Sequence, residues 1–425
     1  MNFRISDKDG LNYSLESGDN NKIHLNELVG YNSIFGEKIC HGCLVILRIF
    51  KILNIKKLLK NYCEYSINIS FSKHFSYNKK ISIIKKNKTF KVSQNNQELT
   101  EITIQDKNNL NNFPCIKKHT INLNKNILNN ANYKINLGIL SLLLNSLTKY
   151  VGTVYPGENS IINNININFN NKFKFDDNKI KIFSKKIDKR YLFINNKLTY
   201  RNYLIEFQTS ERPKLLLNNN IITSSIKKLV KKIDETILII GASSGIGLEL
   251  LNIFKTNSKI SIIATYNKNN IITNKNNVNS IKLDLEKNFL ILKKILKTHL
   301  PIRIYYFATP KINIYAQDNK NLKKYKNFYV RYPLKILSLL KNKKIKFFYP
   351  STIFIKKNSS NYSKMKKMGE KMILKNINVN HEISTLRIDM VNTKQNLSFF
   401  NQNLPSFTQL LNKNREYQKK IFFIS

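Results

Sequence analysis

The 425-residue chain has no tryptophan, 26 acidic residues, 12 glycines, 8 prolines and four cysteines. Each shortage excludes something. Cys40, Cys43, Cys63 and Cys115 are too few and too irregular for a secreted disulfide framework, so a reducing compartment is expected. Cys40 and Cys43 form a C-x-x-C that no second pair answers, and both are expected to be small buried apolar groups rather than metal or redox ligands. The opening MNFRISDKDGLNYS lacks an apolar signal core. No run of about 18 apolar residues occurs either, and the stretch CLVILRIFKIL, residues 43–53, is interrupted by Arg48 and Lys51. A core helix there, no membrane span and a cytoplasmic location are the expectations.

Scarcity of acids leaves 72 Lys+Arg against 26 Asp+Glu, a formal net charge of +46. Such an excess ordinarily points to nucleic acid or an anionic membrane. Here it is almost all lysine, spread along the whole chain with abundant Asn and Ile, as drift in an A/T-rich coding sequence produces. No zinc-finger spacing, aromatic RNA-binding signature or Arg-rich recognition helix accompanies it. Nucleic acid is therefore not expected as a partner. Acidic partners remain attractive to such a surface, among them coenzyme A phosphates or an acidic carrier protein.

The 42% apolar content is ample for packed cores, and the length suits about two to four domains. Residues 1–110 hold the apolar helix candidate followed by YSINISF, KISIIKK and TFKVSQ, whose alternation predicts half-buried antiparallel strands. Residues 111–215 repeat the order with INLGILSLLLNSLTKYVG, a turn at Pro156 and Gly157, then SIINNININF, KIKIFSKKI and NYLIEFQ. One helix with a strand-rich sheet, twice over, predicts an α+β half. Residues 216–234, rich in Asn and Lys, read as a linker. From 235 to 425 apolar strands such as TILIIG, KISIIATY, IRIYYFAT and KIKFFYPST alternate with helix-length segments, predicting an α/β, doubly wound parallel sheet of the Rossmann type.

GASSGIG places Gly241, Gly245 and Gly247 between an apolar strand and an amphipathic segment. Glycines there permit a tight turn and close approach of a pyrophosphate to a helix N-terminus. The spacing resembles that of the short-chain dehydrogenase/reductase family, as do Tyr362 and Lys366 in NYSKMKKMGEKM and Ser351, eleven residues before the tyrosine. The resemblance implies that Tyr362 exchanges a proton with a carbonyl oxygen, that the Lys366 charge lowers the tyrosine pKa and that Ser351 orients the carbonyl. It also implies a cofactor site at Gly241, Ser243, Ser244, Gly245, Ile246, Gly247, Lys268, Asp284, Ala308 and Thr393. ATYNKNN offers Lys268 and no acid after the second strand, so NADP is expected, with NAD as the other option. The chain departs from the family pattern at Phe307, Thr309, Arg331, Ile388 and Asp389.

A second motif lies at the start. SGDNNKIHLN, followed by FGEKICHGCL, resembles the hydratase segment of MaoC-like dehydratases, the (R)-specific enoyl-CoA hydratase family. Ser17, Gly18, Asp19, Asn21, His24, Phe35, Gly36, Ile39, His41, Gly42 and Leu44 carry the likeness. It implies a hot-dog fold, a second degenerate hot-dog in residues 111–215 without an Asp-His pair, and Asp19 and His24 as catalytic acid and base with Asn21 orienting them. Backbone N–H groups near His41 and Gly42 are expected to polarise a thioester carbonyl, and His41 itself to be structural. No metal ligands are expected to cluster.

Together these readings predict a bifunctional enzyme on acyl-CoA or acyl-carrier-protein thioesters, interconverting 3-oxoacyl and 3-hydroxyacyl groups with NADP(H) and 3-hydroxyacyl and 2-enoyl groups by dehydration. A homodimer is left open. Two alternatives stay open as well: a single working activity, with the reductase domain acting on another carbonyl, and a nonenzymatic basic protein that binds nucleic acid in a salt-sensitive way.

Overall fold

The computed structural model describes all residues except 61, 107–116, 123–136, 159, 177–178, 189–192, 212–220, 272–274, 301–302, 311, 313–318, 357–359, 377–378, 394–395, 397–403 and 425. Cys115 and the first five positions of the expected linker lie outside the described residues. The chain divides into two compact units, a first over Met1–Lys214 and a second over Leu215–Leu397 and Asn403–Ser425.

The first unit is built on one antiparallel ten-stranded sheet. Its strands are β1 (Asn2–Phe3), β2 (Glu64–Phe71), β3 (Ile81–Lys86), β4 (Thr89–Gln94), β5 (Gln97–Gln105), β6 (Lys117–Asn122), β7 (Ser160–Asn170), β8 (Lys179–Asp188), β9 (Phe193–Tyr200) and β10 (Tyr203–Glu211). Their order across the sheet is β1-β3-β4-β5-β2-β7-β10-β9-β8-β6. Reading inward from either edge gives the same arrangement: an early strand, then the third, fourth, fifth and second strands of a repeat. The halves meet where β2 pairs β7 with Ile67 opposite Ile167.

Each repeat owns one apolar helix, Gly42–Ile52 in the first and Ile139–Lys149 in the second. Both bury most of their residues against the sheet's inward-facing Ile, Val and Phe side chains in a single core. Alternation along the strands is what supplies that face, for example Tyr65, Ile67 and Ile69 on β2. Cys40 and Cys43 are buried in the same core. The helix expected across the apolar run ends at Ile52, because Asn54 takes a left-handed conformation at φ 49° and only a short turn, Ile55–Leu59, follows.

The second unit is a six-stranded parallel sheet of β11 (Ile237–Ile240), β12 (Ile262–Tyr266), β13 (Val278–Lys282), β14 (Arg303–Tyr306), β15 (Ile345–Thr352) and β16 (His381–Ile388). Its order β13-β12-β11-β14-β15-β16 is the doubly wound Rossmann order, with apolar clusters on both faces. Part of the expected linker is instead a helix, Ser224–Lys231, whose Ile226 and Val230 are fully buried in this unit. Its i, i+4 apolar stripe was masked by the surrounding lysines.

Among the described residues no helix is long and apolar enough to cross a membrane.

Candidate functional sites

In the first unit, the helix Asp7–Ser17 closes with Gly18 in a left-handed conformation, and the chain turns so that Asp19 and Asn21 are buried. The Asn21 backbone N–H donates to Asp19 Oδ1 at 3.2 Å, while the Asn21 side chain accepts from Ile23 N and starts the short helix Lys22–Leu25. That helix carries His24. Asn21 thus contacts Asp19 through its backbone and caps the helix of His24 through its side chain.

His24 Nδ1 lies 3.0 Å from the Ile39 carbonyl. Since a carbonyl only accepts, Nδ1 carries the proton and Nε2 holds the basic lone pair. The ligand-type atoms of Asp19, His24 and His41 all lie within 4.8 Å of one another, a span that one water bridges. The motif had put Asp19 with His24, but the joining of His41 departs from the expectation that no metal ligands cluster, since positions 19, 24 and 41 give no metal-ligand spacing. Both His41 nitrogens already have protein partners, Nε2 donating to the Asp19 carbonyl at 3.2 Å and Nδ1 accepting from Tyr77 at 3.4 Å, which does not fit a metal donor set.

Two further residues bear on Asp19, and sequence reading missed both. Thr148, on the second repeat's helix, donates to Asp19 Oδ2 at 2.6 Å. Gly152 lies one turn on, in the π-turn Tyr150–Val154, and a Cβ built there would sit 2.0 Å from Asp19 Oδ1. Burial raises the Asp19 pKa above the usual carboxylate range, opposed by His41, the Thr148 hydroxyl and the Asn21 N–H. Gly42 begins the first central helix, where no side chain caps the N-terminal N–H groups.

In the second unit the strand order reverses between β11 and β14, and the Gly-rich turn follows β11 there. Gly241 has φ 87°, and a Cβ on it would stand 2.8 Å from Ala308 N, just past β14. A Cβ on Gly247 would stand 2.3 Å from the Gly241 carbonyl oxygen. Thr393 packs against Gly245. Thr265 on β12 holds the turn through Gly241 N at 3.1 Å and Ala242 N at 2.8 Å. Ser243 is half-buried and Ser244 exposed, and Ile246 packs partly against the core below. No side chain caps the helix Gly245–Phe254, so its N–H groups and positive dipole end are available to an anion. Lys268 is exposed just beyond β12. The Asp284 carboxylate accepts from Glu286 N and Lys287 N, which makes it the cap of its own turn.

Tyr362, Lys366 and Glu370 form one stripe of the helix Asn361–Lys375 and face three consecutive residues at the end of β15. The Ser351 hydroxyl donates to Glu370, which is itself held by Arg387 at 2.7 Å. Thr352, not Ser351, is the hydroxyl beside Tyr362 that favours its ionised form. Ser351 is instead committed to Glu370, two helical turns along from Tyr362. Lys366 Nζ donates to the Pro350 carbonyl at 2.6 Å and lies 4.5 and 4.9 Å from the ring centroids of Tyr329 and Tyr349. Burial lowers its pKa to about 7, against the pull of Glu370. Burial raises Tyr362 to about 12, with the Thr352 hydroxyl opposing. The expected lowering of the tyrosine by Lys366 is therefore not found, because this ammonium is spent on a carbonyl and two rings.

No protein-family profile matches the sequence, and no curated protein matches it. Among solved structures, a short-chain dehydrogenase family protein from Francisella tularensis is similar at 19% identity, over 45% of this chain and 92% of that one, with a TM-score of 0.37. The epimerase Mth375 from Methanothermobacter thermautotrophicus is 19% identical over 39% of this chain, with a TM-score of 0.33, and the match spans about half, 54%, of its length. A short-chain dehydrogenase from Burkholderia cenocepacia in complex with NADP is 11% identical over 38% of this chain and 74% of that one, with a TM-score of 0.32.

Proposed function

We propose that the chain is a bifunctional enzyme on acyl-CoA or acyl-carrier-protein thioesters, its first unit a pair of hot-dog repeats that hydrate and dehydrate, its second an NADP(H)-dependent 3-oxoacyl reductase. The observation that carries this reading is the Asp19–His24 pair, brought within one water's span on its own scaffold in a chain that also holds a Gly-rich turn at a Rossmann switch point.

Water held between Asp19 and His24 adds its oxygen to C3 of the 2-enoyl group. One member of the pair takes the water proton and the other returns a proton to C2. Dehydration reverses both transfers. N–H groups at the start of Gly42–Ile52 polarise the thioester carbonyl, so that charge developing on its oxygen meets a helix N-terminus.

The turn of Gly241, Gly245 and Gly247, where side chains at Gly241 and Gly247 would strike the protein's own backbone, leads into an uncapped helix N-terminus that suits a dinucleotide pyrophosphate, with Lys268 beyond β12 to meet a 2′-phosphate. The bound nicotinamide supplies or accepts the hydride. Tyr362, held protonated by its burial, donates its phenolic proton to the substrate carbonyl oxygen, and Thr352 orients that phenol.

Paired variants test the assignment. Asp19→Ala is expected to abolish crotonyl-CoA hydration while leaving NADPH-dependent reduction of a short 3-oxoacyl-CoA unchanged, and Tyr362→Phe the reverse. Loss of both activities in either variant, or of neither, overturns it.

A further inference from the structure

His41 is fully buried and touches both Asp19 and His24. Its Nε2 donates to the Asp19 carbonyl at 3.2 Å, and its Nδ1 accepts from the Tyr77 hydroxyl at 3.4 Å. Its ring stacks on His24 with centroids 3.9 Å apart and planes 28° from parallel. Tyr13 closes the remaining side edge-on at 5.2 Å. Tyr77 is in turn held against Gly10, where a Cβ would stand 2.2 Å from its oxygen.

We propose that His41 is a positioning residue for the hydratase site, a permanently neutral imidazole that fixes the Asp19 backbone and the plane of the His24 ring at once. This rests on the hydratase reading. One ring nitrogen meets an oxygen that only accepts, so Nε2 carries the proton. The other meets the Tyr77 hydroxyl, which donates to Nδ1 when Nε2 alone holds the ring proton. The neutral Nε2–H tautomer satisfies both partners at once.

The groups facing His41 are Asp19, His24, Tyr13 and Tyr77. Burial and the neighbouring His24 both disfavour a proton on it, against the pull of Asp19, and lower its pKa to about 3. Neutrality matters for the reaction. When His24 accepts a proton it becomes an imidazolium, and the face beneath it is then a polarisable neutral ring rather than a second cation. A charged His41 would oppose that step. The Nε2 bond also registers the Asp19 loop to the same ring, so two reacting groups five positions apart move together.

Two readouts separate this claim from the reading it rests on. The first is the nitrogen-15 NMR spectrum of the wild-type histidines from mildly acidic to mildly basic pH, which requires no activity. His41 is expected to keep one neutral Nε2–H signature throughout. A His41 that titrates near the ordinary histidine range, or that carries its proton on Nδ1, overturns the proposal even in an active enzyme.

The second is crotonyl-CoA hydration by His41→Phe, which keeps a stacked ring and loses both hydrogen bonds, and by Tyr77→Phe, which loses one. His41→Phe is expected to lower kcat by roughly tenfold to a hundredfold with KM within about twofold, as misplaced reacting groups do, and Tyr77→Phe to fall between it and wild type. An unchanged kcat in folded His41→Phe overturns the proposal. Absence of hydration in wild type, with the His41 signature as expected, overturns the hydratase reading alone.

Discussion

The two repeats of the first unit share their element order and differ in where they keep polar groups. The first gathers Asp19, His24 and His41 beside the start of its helix. The second begins its helix at Ile139, carries the buried Ser141, Asn145, Ser146 and Thr148 on it, and holds a further polar network where the helix end meets the sheet. There the Tyr150 and Ser184 hydroxyls lie 2.8 Å apart, Ser184 donates to Asn196 at 2.5 Å, and the Asn196 amide donates to the Ile194 and Phe207 carbonyls and to Thr209. A network satisfied within itself rigidifies and offers nothing to a substrate. What the second repeat gives away is at its helix end, where Thr148 and Gly152 bound the Asp19 carboxylate. On the proposed reading, one repeat carries the reacting pair and the other supplies the wall against which it is set.

The largest break in that division is Gly152→Val. Its side chain would occupy the place of the Asp19 carboxylate, and hydration is expected to fall by about a hundredfold or more while reductase activity holds, measured by separate assays on one preparation. Thr148→Val removes the 2.6 Å bond without adding bulk. That bond lowers an Asp19 pKa which burial has already raised, so its loss raises the pKa further. With His24 taking the water proton and Asp19 returning one to C2, Asp19 keeps its proton to higher pH and the alkaline limb of the hydration profile moves to higher pH. A limb that moves the other way contradicts the role given to Thr148.

Ser184→Ala sharpens the contrast from the structural side. Tyr150 and Asn196 each lose a buried partner, costing about 1–3 kcal/mol in urea unfolding, with hydration within about twofold of wild type. The smallest effect is expected in the second unit. With Tyr362 pushed up to about 12, reduction stays level across the neutral range so far as the tyrosine sets it, and the reverse oxidation climbs with pH. A reduction rate that falls as Tyr362 ionises near neutral pH contradicts the buried phenol.

Motifs with short-range reasons were legible. Gly241, Gly245 and Gly247 announced a strand-turn-helix because few other residues tolerate such turns, and the apolar runs of β11, β12, β14 and β15 announced a parallel sheet. Segments whose apolar pattern is diluted by polar residues were passed over, among them β5, reading QELTEITIQ, and β9, reading FINNKLTY. The linker failed for a related reason, since lysines hid the stripe of Ile226 and Val230. Side-chain roles set across the fold were not readable at all. Thr148 meets Asp19 from 129 positions away, and Ser351 is taken up by Glu370, which leaves Thr352 beside Tyr362.

Crotonyl-CoA supplied with NADP⁺ tests the central claim most directly, because NADPH appears only if one chain first adds water across C2–C3 and then oxidises the resulting 3-hydroxyl. The account predicts a rise at the NADPH absorbance band in wild type, lost in Asp19→Ala and restored to that variant by (R)-3-hydroxybutyryl-CoA. Hydroxyacyl product accumulating in wild type with no NADPH, under conditions where NADPH reduces a 3-oxoacyl-CoA, would contradict it.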